Sequence, residues 1–434
     1  MIRFGTDGVR GRAGLAPITV EGGVAIGQAA AQLAFEQGSG RVLLARDTRP
    51  SGPALEAAVA AGILSRGARC LLAGVLPTAG VGVCLDADQA DVGVMITASH
   101  NPAEDNGFKI MGHRGRKLDA SQIARVEAWL AQGVSAEEQH PFGQMHPFHE
   151  DAWETWLKAV DRATGDRGVL AGQRVAIDLA HGAAAPCTRW LAEHTDVDWV
   201  ILGEGTGVVN DGVGSENLAH LGRVVVEQGC VAGFAVDGDA DRCRLVDEHG
   251  RPVPGDAVTW LLARHVKATH IAVTVMSNGA LEISLPDTRV VRTPVGDRFL
   301  REAMDREPLQ LGAEESGHVL FDDYPSGDGL VTGLRALSAL LATGEPASEV
   351  LSGFTPLPRR LTKVPVSARP PLDEVDAIVA ARARGLEALG PGGRVFLRYS
   401  GTEAYMRVLV EGREASAVAH VSDEMTHICG VALA

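Results

Sequence analysis

Short, unbroken apolar runs recur along this chain, each ending at a loop rich in Gly, Asp or Pro and followed by an amphipathic helix. Val42-Leu43-Leu44-Ala45 runs into Arg46-Asp47-Thr48-Arg49-Pro50-Ser51-Gly52 and then an Ala-rich helix from about Pro53. Val92-Gly93-Val94-Met95-Ile96-Thr97 stops at Ala98-Ser99-His100-Asn101-Pro102, where Pro102 biases Asn101 away from helix. Val175-Ala176-Ile177-Asp178-Leu179 leads into Ala180-His181-Gly182, and Ile271-Ala272-Val273-Thr274-Val275 into Met276-Ser277-Asn278-Gly279. Strands that are apolar at every position are buried on both faces, and their alternation with helices predicts α/β layers. The unit returns in the first, second and third parts of the chain, which reads as an internal repeat of an α/β domain.

The texture changes after the Pro-punctuated stretch near 355–360, with Pro356, Pro358, Pro365, Pro370 and Pro371. Arg394-Val395-Phe396-Leu397-Arg398 and Met406-Arg407-Val408-Leu409-Val410 then read as two strands around a short loop, and 414–428 as a closing helix. This is an α+β pattern, a small appended domain. Other candidate boundaries lie near 140–149 and near the Asp237 loop. At about 150 residues per domain, 434 residues suggest three domains, and four small ones also fit.

Charge narrows the function. Lys plus Arg number 40 against 55 Asp plus Glu, a formal net charge of −15. A general nucleic-acid or anionic-membrane binder should be basic, so an anionic ligand here needs a local cluster of Arg and Lys. No apolar run of about 18 residues suggests a membrane span, and the polar start lacks the apolar stretch of a secretion signal. The six cysteines (Cys70, Cys84, Cys187, Cys230, Cys243, Cys429) form no C-x-x-C pair, which argues against a zinc site or a disulfide framework. A reduced cytoplasmic protein is expected. His140, His146 and His149 lack metal-binding spacing and read as a solvated linker.

Four loops carry candidate chemistry. Ser99 lies beyond a strand's carboxyl end, where open α/β sheets bind ligands, and a Ser hydroxyl acts as a nucleophile or carries a phosphoryl group. His100, the loop amides and Lys109, in the following Asp105-Asn106-Gly107-Phe108-Lys109, are candidate donors. A Ser-His hydrolase is the rival, but the loop lacks the G-x-S-x-G elbow; a plain polar turn is the bland alternative. Asp237-Gly238-Asp239-Ala240-Asp241 places carboxylates at alternate positions of an extended segment, so they converge on one side and suit Mg²⁺. An EF-hand would also begin this way, with Glu248 at its twelfth position, yet Arg242 occupies the place of its turn glycine and 231–236 and 244–246 read as strands. A solvated acidic turn would leave three like charges repelling. Gly312-Ala313-Glu314-Glu315-Ser316-Gly317-His318 offers acceptors and donors for sugar hydroxyls, though alone the motif is weak and reads first as a surface turn. Arg398-Tyr399-Ser400-Gly401-Thr402-Glu403, with Arg407 beyond it, is either an anion nest or a hairpin turn with incidental charge. Near the N-terminus, Gly5-Thr6-Asp7-Gly8-Val9-Arg10-Gly11-Arg12 sets arginines among glycines, a phosphate-binding composition or a flexible terminus.

Together, in this order, these loops resemble those of the α-D-phosphohexomutase family over essentially the full length, with Phe4-Gly5-Thr6-Asp7-Gly8-Val9-Arg10-Gly11 most similar to its phosphoglucosamine branch. The resemblance implies three similar α/β domains with mixed sheets plus a C-terminal α+β domain around a central cleft, at 1–145, 146–245, 246–356 and 357–434. It implies that Ser99 is phosphorylated and that Ser99, Asp237, Asp239 and Asp241 hold one Mg²⁺ per subunit. Arg10, His100 and Lys109 then stand near the transferred phosphate, with Lys109 a candidate acid/base. Glu314, Ser316 and His318 bind the sugar, and Arg398, Ser400, Gly401, Thr402 and Arg407 the other phosphate. The implied reaction interconverts glucosamine-6-phosphate and glucosamine-1-phosphate through a sugar 1,6-bisphosphate, an intermediate and activator, feeding UDP-N-acetylglucosamine and cell-wall synthesis. The expected partner is a small-molecule hexosamine phosphate, with no nucleic acid and no membrane; a homodimer is allowed.

Three places depart from the family pattern. Tyr399 stands where the branch usually has Lys, Ala404-Tyr405 where Pro and a smaller apolar residue are usual, and Glu315 is not the commonest residue between Glu314 and Ser316. An extra carboxylate there would favour an ammonium group on the sugar. Phosphomannomutase/phosphoglucomutase specificity, a phosphatase, a non-catalytic sugar-phosphate binder and a calcium module are the alternatives.

Overall fold

A computed structural model describes residues 3–5, 8–132, 141–400 and 404–434. Its first sheet contains β1 (Val9–Arg12), β2 (Arg41–Arg46), β3 (Arg69–Val75), β4 (Val92–Ile96), β5 (Asp105–Met111) and β6 (Met145–Pro147), in the order β1-β5-β4-β2-β3-β6. The second contains β7 (Arg174–Asp178), β8 (Asp198–Leu202), β9 (Ala232–Val236) and β10 (Cys243–Asp247), in the order β10-β9-β7-β8. The third contains β11 (His270–Thr274), β12 (Arg289–Thr293), β13 (Leu311–Ala313) and β14 (Val319–Phe321), in the order β12-β11-β13-β14. The last is antiparallel, with β15 (Arg359–Pro365) and β16 (Arg394–Tyr399) on either side of β17 (Tyr405–Glu411).

The repeat expected from the apolar runs has a topological form. In β2–β5, β7–β10 and β11–β14 alike, the spatial order is fourth, third, first, second in chain sequence. In each set the third strand runs parallel to the first and antiparallel to the fourth. The sheets are therefore mixed, and the strands β4 and β9 are buried at every residue, as continuous apolar runs require.

Helices cover the first sheet at close range. Gly27 of the helix Val20–Gln37 and Gly62 of the helix Gly52–Ser65 face each other's backbone. A Cβ on Gly27 would lie 2.1 Å from the Val59 carbonyl oxygen, and one on Gly62 2.1 Å from that of Val24. Two glycines thus set the interhelical distance, and Ile26, Leu33, Val59 and Ile63 fill the core beneath with Val42, Leu44, Val94 and Ile96.

The structure divides into two compact units: Met1–Thr274 with Val291–Ser352, and Val275–Val290 with Gly353–Ala434. In the second, Val364, Val395, Met406, Val408 and Val410 of the sheet enclose a core with Ile378, Val421 and Met425 of the helices Asp376–Leu389 and Ala415–Ala432. Among the described residues, no helix is long and apolar enough to cross a membrane. All six cysteines are buried and free.

Three local readings change. Residues 105–109 form strand rather than loop: Phe108 is buried in the core, and the two-residue period turns Lys109 to the opposite face. The N-terminal segment is anchored, with Arg10 paired to Gly107 across β1 and β5. The stretch holding His146 and His149 is solvated but ordered as a strand and a helix start rather than a linker: His146 of β6 pairs with Leu71 of β3, and the exposed His149 has its Nδ1 2.7 Å from the Ala73 carbonyl oxygen. His140 lies outside the described residues.

Candidate active site

The repeat places three loops at one topological position, between the third and fourth strands of each set. Ser99 follows β4, Asp237 follows β9 and Glu314 follows β13. All belong to the first unit, where Ser99, Asp237, Asp239 and Asp241 are almost completely buried.

Ser99 adopts φ 55°, a left-handed conformation that costs a non-glycine residue about 1–2 kcal/mol. Its Oγ donates to Asp237 Oδ2 at 2.5 Å and lies 3.3 Å from His100 Nδ1. Burial, with Arg242 and Arg10 nearby, lowers the His100 pKa and so favours the neutral ring. The chain cannot approach differently: a Cβ on Gly238 would lie 2.8 Å from the Ser99 carbonyl oxygen.

Facing oxygens of Asp237, Asp239 and Asp241 all lie within 4.8 Å of one another. Lys109, turned to this face by β5, donates to Asp239 Oδ2 at 2.6 Å and to Asp241 Oδ2 at 2.9 Å. Thr78 Oγ1 donates to the same Asp239 oxygen at 2.5 Å, while Asp239 Oδ1 is buried with no hydrogen-bond partner among the described residues. Burial, then the charges of Asp241 and Asp239, push Asp237 up to about 8. Against the opposing effect of burial, Lys109, His318 and Arg242 hold Asp241 well below the usual carboxylate range. Three converging carboxylates with a bare oxygen, one of them reluctant to ionise, fit a hard divalent cation with oxygen ligands. An EF-hand is excluded by the flanking strands β9 and β10 and by Glu248, whose carboxylate accepts from the Ser348 amide at 3.0 Å.

His318 begins the return from the third loop and is buried against the acidic cluster. Its Nδ1 is 3.8 Å from Asp241 Oδ1 and its Nε2 3.4 Å from Asp297 Oδ2. Burial opposes the imidazolium, but Asp241 and Asp297 outweigh it and push His318 up to about 9. Glu314 Oε1 accepts from the Gly296 amide at 2.9 Å, and Ser316 Oγ donates to Glu314 Oε2 at 3.2 Å. Glu314 and His318 line a cavity of about 200 Å³ with Arg10, Lys117, Asp241, Arg242 and Asp297. The third loop is thus no isolated surface turn.

In the second unit, Arg398 and Arg407 are directly opposite across β16 and β17, and Lys363 of β15 is opposite Arg407. Like charges in such a row repel, so it favours an anion. The Tyr405 ring carries Lys363 Nζ at 5.0 Å from its centroid and the Arg407 guanidinium at 5.9 Å. Tyr399 donates its hydroxyl to the Pro370 carbonyl at 2.8 Å, and the Ser400 amide bonds the Tyr405 carbonyl at 2.9 Å. Gly401 and Thr402 lie outside the described residues.

Sequence reading missed Thr78, Lys117, Asn210 and Asp297, which carry no local motif. It quoted Asp47 and Arg49 without a role, although an Asp and an Arg two apart at the end of a buried strand were a visible signal.

Four matched family domains cover most of the chain. They are Phosphoglucomutase/phosphomannomutase alpha/beta/alpha domain I at 1–137, domain II at 157–250, domain III at 254–357 and the C-terminal domain at 361–428. A phosphoglucosamine mutase of Rhodospirillum rubrum is 41% identical, covering 99% of this chain and 97% of that protein. One of Paracoccus denitrificans is 37% identical over 97% of each. The crystal structure of a phosphoglucomutase/phosphomannomutase family protein from Burkholderia thailandensis superposes with a TM-score of 0.81 at 24% identity, covering 100% of this chain and 98% of that one. An Aspergillus fumigatus N-acetylphosphoglucosamine mutase, solved with GlcNAc-6P and magnesium, has a TM-score of 0.64 at 19% identity, covering 100% and 96%. With all four domains matched in order, the chain belongs to the phosphoglucomutase/phosphomannomutase family.

Proposed function

We propose that this chain is a phosphoglucosamine mutase, interconverting glucosamine-6-phosphate and glucosamine-1-phosphate. The observation that carries the reading is the Ser99 hydroxyl donating at 2.5 Å into a buried cluster of three aspartates. Family membership and the phosphoglucosamine mutases at 37–41% identity supply the reaction class and sugar. We assign the four domains to 1–145, 146–245, 246–356 and 357–434, and the compartment to a reducing cytoplasm, which six free buried cysteines suit.

In this reading Ser99 carries a phosphoryl group. The sugar monophosphate offers a free hydroxyl, whose oxygen forms a new P–O bond as the Ser99 Oγ–P bond breaks, giving a bisphosphate. The hydroxyl proton passes to a base and a proton returns to Ser99 Oγ; His100, whose Nδ1 lies 3.3 Å from that oxygen, and Lys109 are the candidate acid/base groups. The bisphosphate reorients, and its other phosphoryl group returns to Ser99. Asp237, Asp239 and Asp241 would hold Mg²⁺, which supplies charge neutralisation to the moving group when bound. Arg10 and Arg242 add positive charge beside the cavity. Glu314, Ser316 and His318 orient the sugar. Arg398, Ser400, Gly401, Thr402 and Arg407 hold the phosphate that is not moving, which must be gripped at either end of the sugar in turn.

The test is intact-protein mass before and after phosphatase, followed by turnover of glucosamine-6-phosphate, glucose-6-phosphate and mannose-6-phosphate with Mg²⁺. A phosphoryl group on the isolated protein and preference for the amino sugar are expected. Net release of inorganic phosphate without isomer would replace the mutase with a phosphatase.

A further inference from the structure

The backbone of the Ser99 loop is held by side chains with no assigned role. Arg49, fully buried, donates to the carbonyl oxygens of Ser99 at 2.8 Å, Asn101 at 2.8 Å and Asp105 at 2.8 Å, and also to that of Pro102. Asn210, from the glycine-rich segment after β8, donates its Nδ2 to two of the same oxygens, Ser99 at 2.8 Å and Asn101 at 3.0 Å. Asp47 supports both ends of the Ser99 residue. Its Oδ2 accepts from Arg49 Nε at 2.9 Å and from Thr97 Oγ1 at 2.6 Å, and that hydroxyl accepts from the Ser99 amide at 2.8 Å.

The sheet explains why these groups meet. β2 and β4 are parallel neighbours with Arg46 beside Ile96, so Asp47–Arg49 and Thr97–Ser99 leave the same edge side by side. Asn210 arrives from the second sheet's loops, itself at φ 61° and fixed by its amide to the Ala180 carbonyl at 3.0 Å.

We propose that Asn210 and Arg49 are positioning residues, a two-armed clamp that holds Ser99 in its left-handed conformation and so aims Oγ at the acidic cluster. On the Ser99 loop the clamp touches only backbone oxygens, so it works on the direction of the hydroxyl and not on sugar binding. Left-handed φ at a non-glycine residue persists only where surrounding contacts over-determine it, and here two nitrogens, Arg49 Nη2 and Asn210 Nδ2, make four hydrogen bonds to two carbonyls. The inference rests on the reading of Ser99 as phosphoryl carrier.

Asn210 is the arm to test, because it is partly exposed and its backbone conformation suits Gly and Asp. Asn210→Gly removes the donor; Asn210→Asp keeps the shape but turns a carboxylate toward two carbonyl oxygens. Turnover of glucosamine-6-phosphate with Mg²⁺ should fall about 10- to 100-fold in kcat, more for Asp than for Gly, because misplacement by about 1 Å costs a factor of this size. KM should stay within about threefold, since the removed contact is not to the sugar. Phosphoserine in the variants should lose inorganic phosphate to water faster than in the wild type. A kcat within about twofold of wild type in both variants, or a loss carried mainly by KM, overturns the clamp. So does failure of both variants to fold, which would make the contact purely structural. If the wild-type protein neither carries nor transfers a phosphoryl group, the reading of Ser99 fails instead.

Discussion

Lys109 and Asp239 meet at 2.6 Å, the ammonium coming from β5 of the first sheet and the carboxylate from the loop after β9 of the second. A second carboxylate, Asp241, takes the same ammonium at 2.9 Å. Removing one partner of such a buried arrangement leaves uncompensated charge at a cost of about 3–5 kcal/mol. Lys109→Met should therefore destabilise the metal-free protein by about that amount in urea unfolding, and added Mg²⁺ should restore a larger share of stability than it adds to wild type. Equal responses to Mg²⁺ in the two proteins would contradict the role of Lys109 as charge compensation.

Ser99→Ala removes the proposed phosphoryl carrier. Isomerisation should fall by at least about 10³-fold, as it does when a covalent nucleophile is lost, and the protein should no longer carry a phosphatase-sensitive mass. Retention of substantial turnover would remove Ser99 from the reaction.

Arg407 faces Arg398 across the sheet and rests against Tyr405. A charge-assisted hydrogen bond is worth about 1.5–3 kcal/mol, so Arg407→Ala should weaken sugar-phosphate binding roughly 10- to 150-fold. Isothermal titration of the Ser99→Ala protein with substrate reads this without turnover. Unchanged affinity would take Arg407 out of the phosphate site.

Asp47 gives a pH dependence of stability. Burial pushes its pKa up to about 6 from 3.8, against Arg49 and Thr97. The folded state thus favours the proton: the contribution is complete below 3.8 and is lost as pH rises through about 6. At 1.36 kcal/mol per pH step, wild type should lose roughly 3 kcal/mol relative to Asp47→Asn between about pH 4 and 7. Denaturant unfolding across that range measures it, and a constant difference between the two proteins would show that Asp47 ionises normally.

Asp328 accepts from Trp156 Nε1 at 2.7 Å, Tyr324 Oη at 2.9 Å and the amides of Leu330 and Val331, capping the helix Gly329–Leu341. Asp328→Ala should cost roughly 2–4 kcal/mol, from the lost cap and the stranded buried donors. A change under about 1 kcal/mol in urea unfolding would mean that water replaces the carboxylate.

The parts of the site visible in the sequence were those written in consecutive residues. Alternating aspartates at 237–241 and the Ser99 loop needed only the apolar strands before them to be placed at a sheet edge. Asn210 and Thr78 reach Ser99 and Asp239 from distant segments, so no local pattern marks them. Lys109 was named as following the Ser99 loop; buried Phe108 and pairing with both β1 and β4 put it on a strand. The antiparallel C-terminal sheet was legible from two apolar runs, whereas its row of Lys363, Arg407 and Arg398 depends on strand register, which spacing alone does not fix.

The shared address of the Ser99, Asp237 and Glu314 loops has a historical consequence. If an ancestral β-α module was copied twice, the loops of Ser99, of the three aspartates and of Glu314 diverged from one starting segment, each free to change without rebuilding its neighbours. The antiparallel C-terminal sheet does not share that strand order, so its row of Arg398, Arg407 and Lys363 stands outside the repeat.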